Sequence, residues 1–100
     1  DYATVAVAAR ITLDGDTISQ ARIALGAAGP TPIQAKAVEA ALQGQSVSDT
    51  TIHEASTLVA GEVDPIGDFR GSPKYKRDMA VVFVERTIKQ AVTQAKETKA

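Results

Sequence analysis

Residues 68–86, Asp-Phe-Arg-Gly-Ser-Pro-Lys-Tyr-Lys-Arg-Asp-Met-Ala-Val-Val-Phe-Val-Glu-Arg, join a turn, a helix start and the longest apolar run of the chain. Gly71 allows a backbone conformation closed to other residues, Ser72 can accept from free amides at a helix start, and Pro73 loses no needed donor at the first helical position. A helix is therefore predicted from residue 72 to about residue 96, because neither Gly nor Pro interrupts it and good helix formers fill its second half. At ~1.5 Å per residue it would be roughly 36 Å long, enough to cross a small domain. Tyr75, Met79, Val82 and Phe83 share one stripe; Val81, Val84, Ile88, Ala91, Val92 and Ala95 share an adjoining one. The combined band is wide, with Glu85, Lys89 and Gln90 left for water, so a core helix touching more than one neighbour is expected.

Upstream, the period changes from that of a helix to that of a strand. Val5, Val7, Ala9, Ile11 and Leu13 alternate with Thr4, Ala6, Ala8, Arg10 and Thr12, which reads as a strand with one apolar face. Ser19, Ala21, Ile23 and Leu25 alternate in the same way with Ile18, Gln20, Arg22 and Ala24, and Asp14-Gly15 marks a hairpin between the two runs. A two-residue loop at Asp14-Gly15 would set Val7 against Arg22. A three-residue loop of Leu13, Asp14 and Gly15 sets Val7 against Ala21 and Val5 against Ile23, with Gly15 left-handed, and is the expectation. The second face, with Ala6, Ala8 and Ala24 beside Arg10, Gln20 and Arg22, is flat: either a solvated outer surface or a place where another backbone approaches.

Pro30 and Pro32 hold the chain extended and suit a short edge strand near residues 31–34. A helix follows, with Ala35, Val38, Ala41 and Leu42 on one face and Gly44 as a left-handed stop. Ser46-Val-Ser-Asp49 has capping-box spacing for another helix, on which Ile52, Ala55, Val59 and Leu58 turn inward until Gly61. Residues 62–71, with Asp64-Pro65, read as a connector. Strands in one run and helices in another point to an α+β fold, a three-stranded antiparallel sheet followed by three helices packed on one face.

One hundred residues, 44% of them hydrophobic, suffice for one core, so residues 1–100 are read as a single domain. A net charge of -1 and 4% aromatic content lack the basic, stacking surface of a nucleic-acid binder. No apolar run nears the ~20 residues of a membrane span, and the chain opens without a signal-peptide pattern. With no cysteine there is no disulfide framework or thiolate metal site, and a cytoplasmic location is the expectation. Strand-like sequence begins almost at Asp1, which suggests a piece of a longer polypeptide.

Catalytic chemistry finds little support in these residues. His53 is the single histidine, His53-Glu54 lacks a second ligand, and an exposed helix position is expected for it. Gly26, Gly29 and Gly44 match neither phosphate-binding glycine spacing. Arg70, Lys74, Lys76 and Arg77 gather at a helix start where an anion could sit, while Asp68 and Asp78 can pair with them instead. Arg86, within the apolar stretch, is expected to reach a carboxylate or carbonyl at the helix edge.

Several of these segments also carry a family resemblance. Asp64-Pro65, the run from Asp68 to Arg77, Met79, and the run from Val81 to Arg86 resemble the signature of the C-terminal domain of the FAD-binding medium subunit of molybdenum hydroxylases, the carbon monoxide dehydrogenase, aldehyde oxidase and xanthine dehydrogenase group. Gly26-Ala-Ala-Gly-Pro-Thr-Pro-Ile-Gln-Ala35 resembles that domain's turn after its second strand, and Asp1-Tyr2-Ala3 its opening. Gln34 stands where the family commonly has arginine. The resemblance implies an α+β domain beside two preceding FAD-binding domains, with a molybdopterin-binding large subunit and an iron–sulfur small subunit as partners. It also implies that no residue here is catalytic and that Asp1, with Tyr2 beside it, comes nearest the FAD. Two readings compete with it: a free-standing protein-interaction module using the sheet face, and a small anion-binding domain using the bases from Arg70 to Arg77.

Overall fold

The computed structural model describes residues 6–26, 33–61 and 73–98, with side chains at 7–26, 34–61 and 78–97. Two long strands, β1 (Ala6–Asp14) and β2 (Thr17–Gly26), form an antiparallel hairpin. A two-residue strand, β3 (Ile33–Gln34), pairs with the far end of β2, giving the order β1-β2-β3. Three helices follow: α1 (Lys36–Leu42), α2 (Asp49–Thr57), which runs into a 3₁₀ turn at Leu58–Gly61, and α3 (Pro73–Thr98). The architecture is α+β.

The hairpin corrects two expectations. Its loop has two residues, Gly15 and Asp16, and the pairing sets Val7 against Leu25, Ala9 against Ile23 and Ile11 against Ala21. Gly15 has φ +63°, as a type II′ turn requires at its first central position. A two-residue loop with a regular ladder would set core residues against outer ones. A bulge prevents this: Leu13 pairs with Ile18 and Thr12 with Gln20, so Ser19 is the extra residue. Its hydroxyl donates to the Thr12 carbonyl at 3.1 Å. The bulge also reverses the expected faces of this segment, burying Ile18 and exposing Ser19.

The core lies between the inner face of the hairpin and the helices. Ile11, Leu13, Ile18, Ala21, Ile23 and Leu25 supply the sheet side, and Val38, Leu42, Ile52, Ala55 and Val59 the side of α1, α2 and the 3₁₀ turn. From α3 come Ala80, Val84, Ile88, Ala91 and Val92, with Val81 and Ala95 partly buried against the same cluster. Complete burial of Val84 and Ile88 stabilises the fold by roughly 1.5–3 kcal/mol each. The buried band of α3 is narrower than its sequence suggests, since Val82 remains 43% exposed. Leu58, expected inside, is 44% exposed because the 3₁₀ turn shifts its direction from the α-helical period.

Capping differs by one serine from the expected pattern. Ser48 caps α2, its Oγ accepting from the Thr51 amide at 3.0 Å and donating to Thr51 Oγ1 at 2.9 Å. Ser46 lies before the helix, bridged to Thr17. Gly44 stops the α1 segment with φ +83°, and its amide donates to the Ile18 carbonyl at 2.7 Å.

Candidate functional site

The outer face of the hairpin is where described side chains gather with no element covering them among the described residues. Its rows follow from the register. Ala8 lies opposite Ala24, which lies opposite Gln34 of β3; the next outward pair is Arg10 and Arg22, and then Thr12 and Gln20. All but the half-buried Ala24 are exposed. A shallow groove of about 480 Å³ runs over this surface, floored by Ala8 and Ala24 and bounded by Arg10, Arg22, Gln34 and Glu39. Like charges directly opposite each other on a sheet repel, and neither arginine makes an ion pair among the described residues. The face therefore offers a flat methyl floor beside two guanidinium groups that no described carboxylate neutralises, a surface suited to a carboxylate-bearing partner.

Glu39, which sequence reasoning missed, holds the edge of this face. Only 7% exposed, it accepts from the Ile23 amide through Oε2 at 2.7 Å and from Gln34 Nε2 through Oε1 at 2.8 Å. Gln43, one turn on, donates from Nε2 to the Ala21 carbonyl at 3.3 Å. Beyond them the Ala35 amide donates to the Ile23 carbonyl and the Ile18 amide to the Gln45 carbonyl, so the outer edge of β2 is closed by α1 and its flanking loops. Spacing held the signal for Glu39, since it sits four residues after Ala35 and three before Leu42, on the buried stripe of α1.

A second polar cluster joins α2 to α3. His53 Nδ1 lies 2.8 Å from Glu85 Oε1, and Lys89 Nζ lies 3.1 Å from Glu85 Oε2. The hydrogen bond from His53, and next that from Lys89, hold the Glu85 carboxyl below its ordinary value of 4.5, with burial working the other way. His53 is exposed, as expected, but it acts as a helix-to-helix clasp. Arg86 departs from its expected role. Its guanidinium lies over the Phe83 ring, 6.0 Å from the centroid, one turn back along the same helix.

Asp1 and Tyr2, the residues proposed beside FAD, lie outside the described residues, as do Asp68 and Arg70; α3 carries the backbone of Lys74, Lys76 and Arg77, whose side chains are likewise outside them. Among the described residues no group of His, Cys, Asp and Glu is arranged to hold a metal, and no helix is long and apolar enough to cross a membrane. No aromatic side chain lines the sheet groove or the roughly 600 Å³ depression between β1 and α3. Of the two glycines with positive φ among the described residues, Gly15 makes the hairpin turn and Gly44 donates its amide to the Ile18 carbonyl.

Comparison with known proteins agrees with this α+β arrangement. The chain is 30% identical over 90 residues to the glyceraldehyde dehydrogenase medium chain of Sulfolobus acidocaldarius, covering 90% of this chain and 32% of that one. It is 30% identical over 95 residues to the putative xanthine dehydrogenase FAD-binding subunit XdhB of Escherichia coli K12, covering 95% and 32%. The fold matches quinoline 2-oxidoreductase from Pseudomonas putida 86 with a TM-score of 0.83 and 32% identity, over 95% of this chain and 33% of that one. It matches carbon monoxide dehydrogenase from Hydrogenophaga pseudoflava with a TM-score of 0.81 and 34% identity, over 93% and 32%. The chain thus spans about a third of the length of its relatives. With residues 1–91 also matching the family profile, the chain belongs to the CO dehydrogenase flavoprotein C-terminal domain family.

Proposed function

We propose that this chain is the C-terminal structural and subunit-contact domain of the FAD-binding subunit of a cytoplasmic molybdenum hydroxylase. In this reading FAD is held mainly by two preceding domains. Partner subunits carry the molybdopterin and the iron–sulfur clusters, and the domain supports the passage of electrons from those clusters through the flavin to an acceptor. Its own residues position neighbouring parts of the assembly and perform no chemical step. Asp1 and Tyr2 belong at the flavin side of the domain. One observation carries the reading: nearly the whole chain aligns with only about a third of the length of relatives such as the xanthine dehydrogenase FAD-binding subunit.

The test compares the isolated chain with the same chain joined to its preceding polypeptide. After incubation with FAD and removal of excess cofactor, the isolated chain is expected to be colourless and the longer protein yellow. Stoichiometric flavin retained by the 100-residue chain alone would overturn the division of labour. In a flavin-bound structure of the longer protein, Asp1 is expected closer to the isoalloxazine ring than any other residue of this chain.

A further inference from the structure

We infer that the outer face of the β1–β2 hairpin is the seat of the polypeptide that precedes residue 1, and that an Asp or Glu carboxylate of that polypeptide reaches between Arg10 and Arg22. The inference rests on the reading of the chain as the C-terminal part of a longer flavoprotein subunit. Three features of the face lead to it: its charge, its relief and its size.

The charge calls for an anionic occupant. Arg10 and Arg22 are paired directly across the strands, where neighbouring side chains stand about 5 Å apart at their β-carbons, and two positive charges there repel. Both are exposed, and Glu39, the carboxylate bordering the groove, is already engaged by the Ile23 amide and the Gln34 side chain. A carboxylate from outside can accept from both guanidinium groups at once and remove the repulsion.

The relief and the size select the occupant. Ala8 and Ala24 raise only methyl groups above the sheet, so a backbone can approach more closely than over larger side chains. The face is small: two strands of about nine residues at ~3.3 Å rise, spaced ~4.8 Å, present only a few hundred Å². A separate partner or a second copy ordinarily needs about 800 Å² on each side. A covalently attached segment needs less, because tethering holds it at a high effective concentration. Ala8 is seven residues from residue 1, so the attached polypeptide begins within about 25 Å of the floor. Relatives three times as long supply the length of chain to fill it.

The test uses the full-length flavoprotein subunit and a thiol reporter, Ala8→Cys, at a position where these 100 residues hold no cysteine. Maleimide labelling of this thiol is expected to be slow in the full-length subunit and to rise about tenfold or more when Arg10→Glu and Arg22→Glu are added, with flavin retained. Arg10→Lys with Arg22→Lys is expected to keep most of the protection. Ala24→Trp, which obstructs the floor without changing charge, should expose the reporter as the reversal does. Fast labelling in the unmodified background, or labelling indifferent to the charge reversal, overturns the inference. So does protection that appears only on adding the other subunits or on dimerisation, since the face then belongs to a separate molecule. A full-length subunit that binds no flavin before any substitution overturns the underlying family reading as well, and is thereby told apart from failure of the docking alone.

Discussion

Replacing Glu39 by alanine would leave the Ile23 amide without its acceptor at the edge of β2 and release the Gln34 side chain. Leaving a buried donor unsatisfied costs about 1–3 kcal/mol, so Glu39→Ala is expected to lower stability by that amount, read as a fall in the urea midpoint with an unchanged slope. Gln34→Ala removes only the partly buried end of the contact and should cost well under half as much. Gln34→Arg should strengthen the contact through a charge-assisted bond and stabilise by about 0.5–1 kcal/mol. Glu39 was not legible in the sequence because its role depends on which β2 amide the fold brings to its carboxylate. Arg86 differs from its expectation in a related way: it stacks on an aromatic ring three residues back, where its place in an apolar run pointed to a carboxylate or carbonyl at the helix edge. Individual partners depend on which groups the fold leaves within reach, and composition and spacing do not contain that information.

At the scale of elements, the hairpin shows what periodicity can and cannot settle. Alternation required core residues to face core residues, but both a three-residue turn and a two-residue turn with a bulge satisfy that parity. The chain uses the second solution, with Ser19 as the extra residue, and the expected pairings shift by four positions. Deletion of Ser19 should therefore leave Ile11 against Ala21 and Leu13 against Ile18. It is expected to retain the native circular dichroism spectrum with a fall in Tm of several degrees, whereas deletion of Thr12 inverts one side of β1 and should abolish cooperative unfolding. The helices were legible where apolar spacing met a cap or a stop, as at Gly44 and Pro73, and less so at α2, where two serines two residues apart competed for the cap. The α2–α3 clasp adds a pH dependence. Because the Glu85 carboxyl titrates below 4.5 when folded, its contribution is present above that value and lost as pH falls through the folded value. Glu85→Gln is expected to cost about 0.5–1 kcal/mol near pH 6, a cost that shrinks as pH falls and the folded carboxyl takes up its proton, measured by denaturant titration across the acid range.

For the molecule as a whole, α3 is the element against which the others are assembled, as its long apolar band implied. Ile88 is fully buried within the cluster that sheet and helices share. Ile88→Ala should cost about 2–5 kcal/mol, a large part of the 5–15 kcal/mol that a domain of this size ordinarily has, and urea titration of the isolated chain would show it as partial unfolding without denaturant or a much lowered midpoint. Family and fold were legible because they are written in many residues at once. The docking face was not, since its defining pair, Arg10 and Arg22, emerges only once the register is known. The closure of β2 bears on how copies of this chain can meet. A sheet bare on both sides is a template that copies can extend without limit. Here the β2 side is closed along most of its length by the molecule's own helix and loops, with only the two-residue β3 beyond it, so among the described residues β1 is the one long open edge. Two chains joined β1 to β1 would leave only a two-residue β3 at each outer edge, too short a template to extend, so self-association by this route favours a pair, and Glu39, Gln43 and a few loop carbonyls obstruct fibre growth along the rest of β2.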